Sequence, residues 1–183
     1  MRRLLWLAVL VVLAWIFVAP SCSTKFGCEA GGAVAHAEHG ECPDGADEAA
    51  GDARRAAARW ESIKDRPRTV GLFYDEDGIG HEFVSGEKDF GRALEVLREL
   101  GAPVSPLGTY PAASHVEVKA AVAMRDGDVD TGVMVINHPG GPCPGDLGCT
   151  NALPLVLPEG ASMVVWWPTS QGMRLQRFTG RSE

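Results

Sequence analysis

The sequence predicts an α/β domain built around one sheet of about five strands, and three observations carry that reading. Short runs rich in β-branched and aromatic residues recur from residue 70 onward. Between them lie stretches whose apolar residues repeat at helical spacing. One run, TGVMVIN at 131–137, is apolar almost throughout, which suits a strand in the middle of a sheet covered on both faces.

The elements follow in order. VGLFY and HEFV flank DEDG, a turn with Gly78 where positive φ is wanted, so residues 70–84 read as a hairpin. A helix comes next, with Asp89 at its cap, an apolar stripe of Phe90, Leu94, Val96, Leu97 and Leu100, and Gly101 and Pro103 as its stop. GTYPAAS is a loop, and a second helix is expected over 115–124. After the apolar strand come a short helix over 150–156, a PEG turn, and SMVVWW and RLQRF as the last two strands. No internal repeat is visible.

The chain before this domain differs in composition. Arg2 and Arg3 precede an unbroken apolar run from Leu4 to Ala19, ended by Pro20, which reads over residues 1–20 as a signal peptide or membrane anchor. The run is shorter than the about 20 residues a bilayer span needs, so both readings stay open. Either implies export or membrane attachment, with membrane contact confined to this segment. Residues 21–66 combine a Gly-, Ala- and acid-rich linker, poor in large apolar side chains, with an Arg/Ala-rich stretch read as a solvated helix. Cys22, Cys28 and Cys42 lie in the linker, free to pair if the chain is exported. The compact domain is then expected over 67–183, as a monomer. Its charge is acidic, as is that of the whole chain at −7, which argues against a general phosphate-binding surface.

The chemistry concentrates in two places. NHPGGPCPGDLGCTN (137–151) holds Cys143 and Cys149 among prolines and glycines, just after the buried strand and at the entrance to a helix, where backbone amides favour thiolate. SHVE places His115 at a helix start with Glu117 two residues on. Zinc nucleobase deaminases carry H-x-E followed by P-C-x-x-C, with the glutamate as proton carrier rather than ligand. Here the chain reads His115-Val-Glu117, then Pro142-Cys143, then Cys149, so five residues separate the cysteines instead of two. Two thiols spaced this way do not share a helix face. Cys143 must lie in the loop, with Gly145 and Gly148 letting the chain curl back. Taken singly, each feature has a plainer reading. Ser114 and Glu117 fit a capping box, and the cysteines fit a short disulfide in a non-enzymatic exported domain.

Beyond this signature, the stretch from about Val70 to Gly180 resembles the DddA-like cytosine deaminase toxins of bacterial polymorphic-toxin systems. TVGLFYDEDG is similar to that family's first hairpin, and the segment from YPAASHVEVKAAVAMRD through INHPGGPC to its core. LPEGASMVVWWP and RFTG are similar to its closing elements. The resemblance implies a cytidine-deaminase-like α/β/α sandwich with one mixed sheet. It implies zinc held by His115, Cys143 and Cys149, with Glu117 moving protons while cytosine loses its amine to become uracil. It also implies DNA as substrate, a cognate immunity protein as partner, and action as a toxin in a target cell's cytoplasm. Candidate substrate contacts are Tyr110 and either Trp166 or Trp167 for stacking, with Trp166 preferred, and Asn137 for hydrogen bonding. The acidic balance and the scarcity of basic residues favour single-stranded over duplex DNA. They also keep open a free cytidine or nucleotide deaminase using the same site.

Overall fold

The computed structural model describes residues 46–181, and the elements are numbered within that range. They run α1 (Ala46–Ala50), α2 (Ala53–Ile63), β1 (Val70–Tyr74), β2 (Gly80–Val84), α3 (Phe90–Glu99) and a 3₁₀ turn (Pro111–Ser114). Then come α4 (Val116–Gly127), β3 (Thr131–Ile136), α5 (Cys149–Val156), β4 (Ser162–Thr169) and β5 (Gly172–Thr179).

The five strands form one sheet in the order β2-β1-β3-β4-β5. Only β3 and β4 run parallel, pairing Val133 with Val164 and Met134 with Val165, and the other neighbours are antiparallel. Parallel neighbours need a crossover, and α5 lies on it. The predicted α/β architecture with one mixed sheet is therefore what the chain adopts.

Alternation along β3 and β4 divides the core in two. Met134, Ile136, Met163 and Val165 point to one face, where they pack with Val96, Leu97, Val116, Met124 and Leu153 from α3, α4 and α5. Val133, Val135, Val164 and Trp166 point to the other, against Ala46, Ala49, Ala50 and Ala56 from α1 and α2. α4 is buried nearly all round, as a central helix must be.

Residues 46–63 thus pack against the sheet, although composition put 46–50 in the linker and read the Arg/Ala-rich stretch after it as a solvated helix. Asp52 caps α2 by accepting from the Arg54 and Arg55 amides, at 2.9 and 3.1 Å. The helix then buries Ala56 and Ile63 against the sheet, and Arg59 lies 4.5 Å over the Tyr74 ring. Small alanines let the helix backbone approach the sheet closely, and that is why the stretch looked featureless.

Other local expectations change too. Asp89 stands at the N-cap of α3 in the left-handed region, and its side chain makes no capping bond. The capping box does not form, since the Ser114 hydroxyl donates back to the Pro111 carbonyl and His115 occupies the N-cap of α4. The expected localisation by export or a membrane anchor is corrected. Among the described residues no helix is long and apolar enough to cross a membrane, and the run at 4–19 on which it rested lies outside them. Cys22, Cys28 and Cys42 lie outside them as well.

Candidate metal centre and active-site cavity

Two helix N-termini converge beyond the carboxyl end of β3, the place where open α/β sheets bind ligands. α4 brings His115 at its N-cap and Glu117 in its first turn. α5 brings Cys149 as its first residue. The loop between β3 and α5 supplies Cys143.

That loop closes as its glycines allow. Gly145 takes a φ of +96°, and Gly148 passes so near the chain that a Cβ would sit 2.4 Å from the Pro144 carbonyl oxygen. The Cys149 amide then donates to Cys143 Sγ at 3.1 Å, and the Thr150 amide to the Cys143 carbonyl at 3.1 Å. His115 Nδ1 lies 3.1 Å from Cys149 Sγ and 3.3 Å from Cys143 Sγ, and the two sulfurs are 3.3 Å apart. A disulfide requires about 2.05 Å, and both cysteines are free.

The electrostatics of the trio are those of a cation site. The bond from the Cys149 thiol, with further ones from His115 and the Cys149 amide, pulls Cys143 down to about 4. Cys149 is pushed far up by its bond to Cys143 and by burial. The bond to Cys143 raises His115. Two sulfurs in contact compete for one negative charge, whereas a divalent cation among them lets both ionise. An imidazole and two thiolates are also the donors zinc prefers. The residues present fit that ion. Among the described residues His115, Cys143 and Cys149 are a group able to hold a metal, and three protein ligands leave a coordination position open, as catalytic zinc requires.

Glu117 lies beside this trio, 4 % exposed, and burial raises its carboxyl above the usual range. With His115 and Cys143 it lines a cavity of about 230 Å³, whose other walls are Thr69, Ser85, Val116, His138 and Gly141.

The other sequence candidates fall elsewhere. The Asn137 side chain is turned into the backbone: Oδ1 accepts from the Val70 amide at 2.8 Å, while Nδ2 donates to the Ile63 and Arg68 carbonyls at 3.1 and 3.0 Å. It ties the end of β3 to the segment joining α2 and β1, and its polar atoms are spent there. Trp166 is 4 % exposed and donates to the Ala50 carbonyl beneath α1, so it is core. Trp167 is the tryptophan beside the centre, half-buried with its ring against Gly141, where a Cβ would come within 2.5 Å. Tyr110 is half-buried and lines a separate small cavity with Leu97, Asp146 and Leu147. Thr69, Ser85 and His138 are cavity residues that sequence reasoning missed. His138 carried one usable signal, its place in a Gly- and Pro-rich loop directly after a buried strand.

No curated protein matches the chain. A family model does, over residues 46–183, a span that includes both cysteines, the H-x-E pair and the two helices under the sheet. The fold, the site and this match agree, and the chain belongs to the SCP1.201-like deaminase family.

Proposed function

We propose that this deaminase is a zinc-dependent DNA cytosine deaminase of the DddA-like toxin kind, converting cytosine to uracil, with single strands its better substrate. The observation that carries the reading is the trio of His115, Cys143 and Cys149 within 3.3 Å of one another, beside a buried carboxyl at the floor of a small cavity. Its volume is below the about 300–1,000 Å³ typical of drug-sized ligands and suits a single base.

His115 and the two thiolates would hold the ion, and zinc so held would lower the pKa of water toward about 7 and supply a nucleophile at neutral pH. Glu117 accepts the proton of the attacking water and passes it to the ring nitrogen, then to the departing amine. A C–O bond forms at carbon 4, the C–N bond breaks, and ammonia leaves. Burial of Glu117 supports this role, because a carboxyl raised above its usual range holds the proton it has taken more readily.

Two placements support a preference for single strands. Flipping a base from a duplex calls for an apolar wedge. Trp166 is in the core and Tyr110 packs half-buried away from the cavity, so neither supplies one, and Trp167 beside the centre is half-buried with its ring against Gly141. From Pro67 onward the chain carries 9 Lys and Arg against 15 Asp and Glu. That same imbalance favours a second reading, a free cytidine or nucleotide deaminase.

The test uses the full chain. Reduced, folded protein should carry about one zinc per chain, and Glu117→Gln should keep the metal while losing about 10²–10⁴ in rate. Absence of zinc, or substantial activity in the variant, sinks the reading. Matched single-stranded and duplex oligonucleotides with one cytosine, cleaved at uracil, decide strand preference. Activity on cytidine alone selects the second reading. Expression in a bacterial host without an immunity protein should raise C-to-T mutations, and an unchanged spectrum counts against a DNA-directed toxin.

A further inference from the structure

Three polar side chains in the cavity wall have no internal role. Thr69 and Ser85 face each other across the end of the β1–β2 pair, joined by the Ser85 amide donating to the Thr69 carbonyl at 2.9 Å. Their hydroxyls, like the His138 ring, have no hydrogen-bond or ion partner among the described residues. All three line the cavity that holds His115, Glu117 and Cys143. His138 stands outside the group whose donor atoms can share one ion, so it is not a ligand. Its backbone is held in a turn, in which the Gly141 amide donates to the His138 carbonyl at 3.1 Å. A Cβ on Gly140 would lie 2.9 Å from Nε2.

The wall is ordered by depth. Glu117 is buried at the floor, Thr69 and Ser85 are half-buried, and His138 is exposed at the rim. A base enters such a cavity with its reacting edge toward the floor and its sugar toward the opening. We propose that Ser85 and Thr69 hydrogen-bond the substrate base, and that His138 holds the sugar–phosphate of the same nucleotide at the rim. This rests on the deaminase reading above and names the residues that select its substrate. The hydroxyls both donate and accept, as a base edge with neighbouring donor and acceptor groups requires. An imidazole N–H suits a phosphate oxygen, and phosphate contacts position a strand without reading sequence.

The experiment measures binding in the full chain carrying Glu117→Gln, by fluorescence anisotropy. It uses a single-stranded oligonucleotide with one cytosine and a twin with an abasic site in its place. Adding His138→Ala should weaken both strands alike, about tenfold. Ser85→Ala should weaken the cytosine strand about 3- to 10-fold and leave the abasic strand unchanged. His138→Gln, which keeps a donor, should recover most of the affinity. Zinc content and urea midpoint should stay at the parent's values in every variant. Unchanged binding in His138→Ala, a loss confined to the cytosine strand, or loss of zinc overturns the assignment of His138. An equal effect of Ser85→Ala on both strands overturns that of Ser85. If the wild type deaminates cytosine while the wall variants bind like the parent, only the wall is wrong. If the wild type is inactive and the parent binds neither strand, both readings fall.

Discussion

Replacing Asn137 by aspartate changes one donor into an acceptor with almost no change of shape, which isolates what that side chain does. In the wild type Oδ1 accepts from the Val70 amide, while Nδ2 donates to the Ile63 and Arg68 carbonyls at 3.1 and 3.0 Å, with Arg66 O at 3.5 Å. A carboxylate keeps the first bond and loses both donors, and its second oxygen then faces carbonyls. Each lost bond is worth about 1 kcal/mol and the unpaired carbonyls add to it, so Asn137→Asp should cost about 3 kcal/mol at pH 7. Some of this depends on pH. A protonated carboxyl still donates one bond, so the folded state raises the pKa of the new group above its unfolded value of about 3.9. The variant is therefore least impaired below that value. It loses stability as pH rises through the folded pKa and is flat above. If about 2 kcal/mol comes from ionisation, the shift is about 1.5 units, and the loss falls between about pH 4 and 5.5. Urea unfolding of the full chain, followed by tryptophan fluorescence, measures this against Asn137→Ala, which has no such step. A variant within about 0.5 kcal/mol of wild type at pH 7 would refute the clamp. Lost activity at undiminished stability would restore Asn137 as a substrate contact.

Three further outcomes follow from single contacts. Gly148→Ala puts a Cβ 2.4 Å from the Pro144 carbonyl oxygen, and because backbone cannot yield as a side chain can, it should cost about 1–3 kcal/mol and lower zinc retention in dialysis against chelator. Trp166→Phe removes the bond to the Ala50 carbonyl; about 1 kcal/mol of stability should be lost, with kcat/KM unchanged, and a selective loss of activity would place this ring in the site after all. Lys119, 2 % exposed, donates to the Val84 and Gly86 carbonyls, both at 2.8 Å. Lys119→Met should cost about 1–3 kcal/mol and speed hydrogen exchange at residues 84–86, and unaltered exchange there would show that the lysine does not hold the turn beside Ser85.

Much of the site was legible because its chemistry is local. His115 and Glu117 are fixed to one helix start by their spacing, and a proline- and glycine-rich loop between two cysteines has few shapes in which both sulfurs meet. The hairpin at 70–84 and the buried strand at 131–137 were legible for a related reason, since the side-chain period of a strand is set within the strand itself. The alternation of Trp166 and Trp167 was readable too, but which of them faces the centre was not.

What remained hidden depends on partners distant in the chain. Asn137 next to His138 is an unremarkable turn sequence. Only the folded chain turns the first toward carbonyls about 70 residues away and the second toward the cavity. Helices α1 and α2 are too alanine-rich to advertise a packed face, and their burial exists only where the sheet offers Val133, Val135, Val164 and Trp166. Thr69 and Ser85 carry no motif, and they join the site because strand register sets the ends of β1 and β2 beside the start of α4. Spacing along the chain determined which groups could share an ion. The tertiary structure decided which polar groups are already spent on the backbone and which are left facing the cavity, because hydrogen-bond partners are assigned only when distant segments meet.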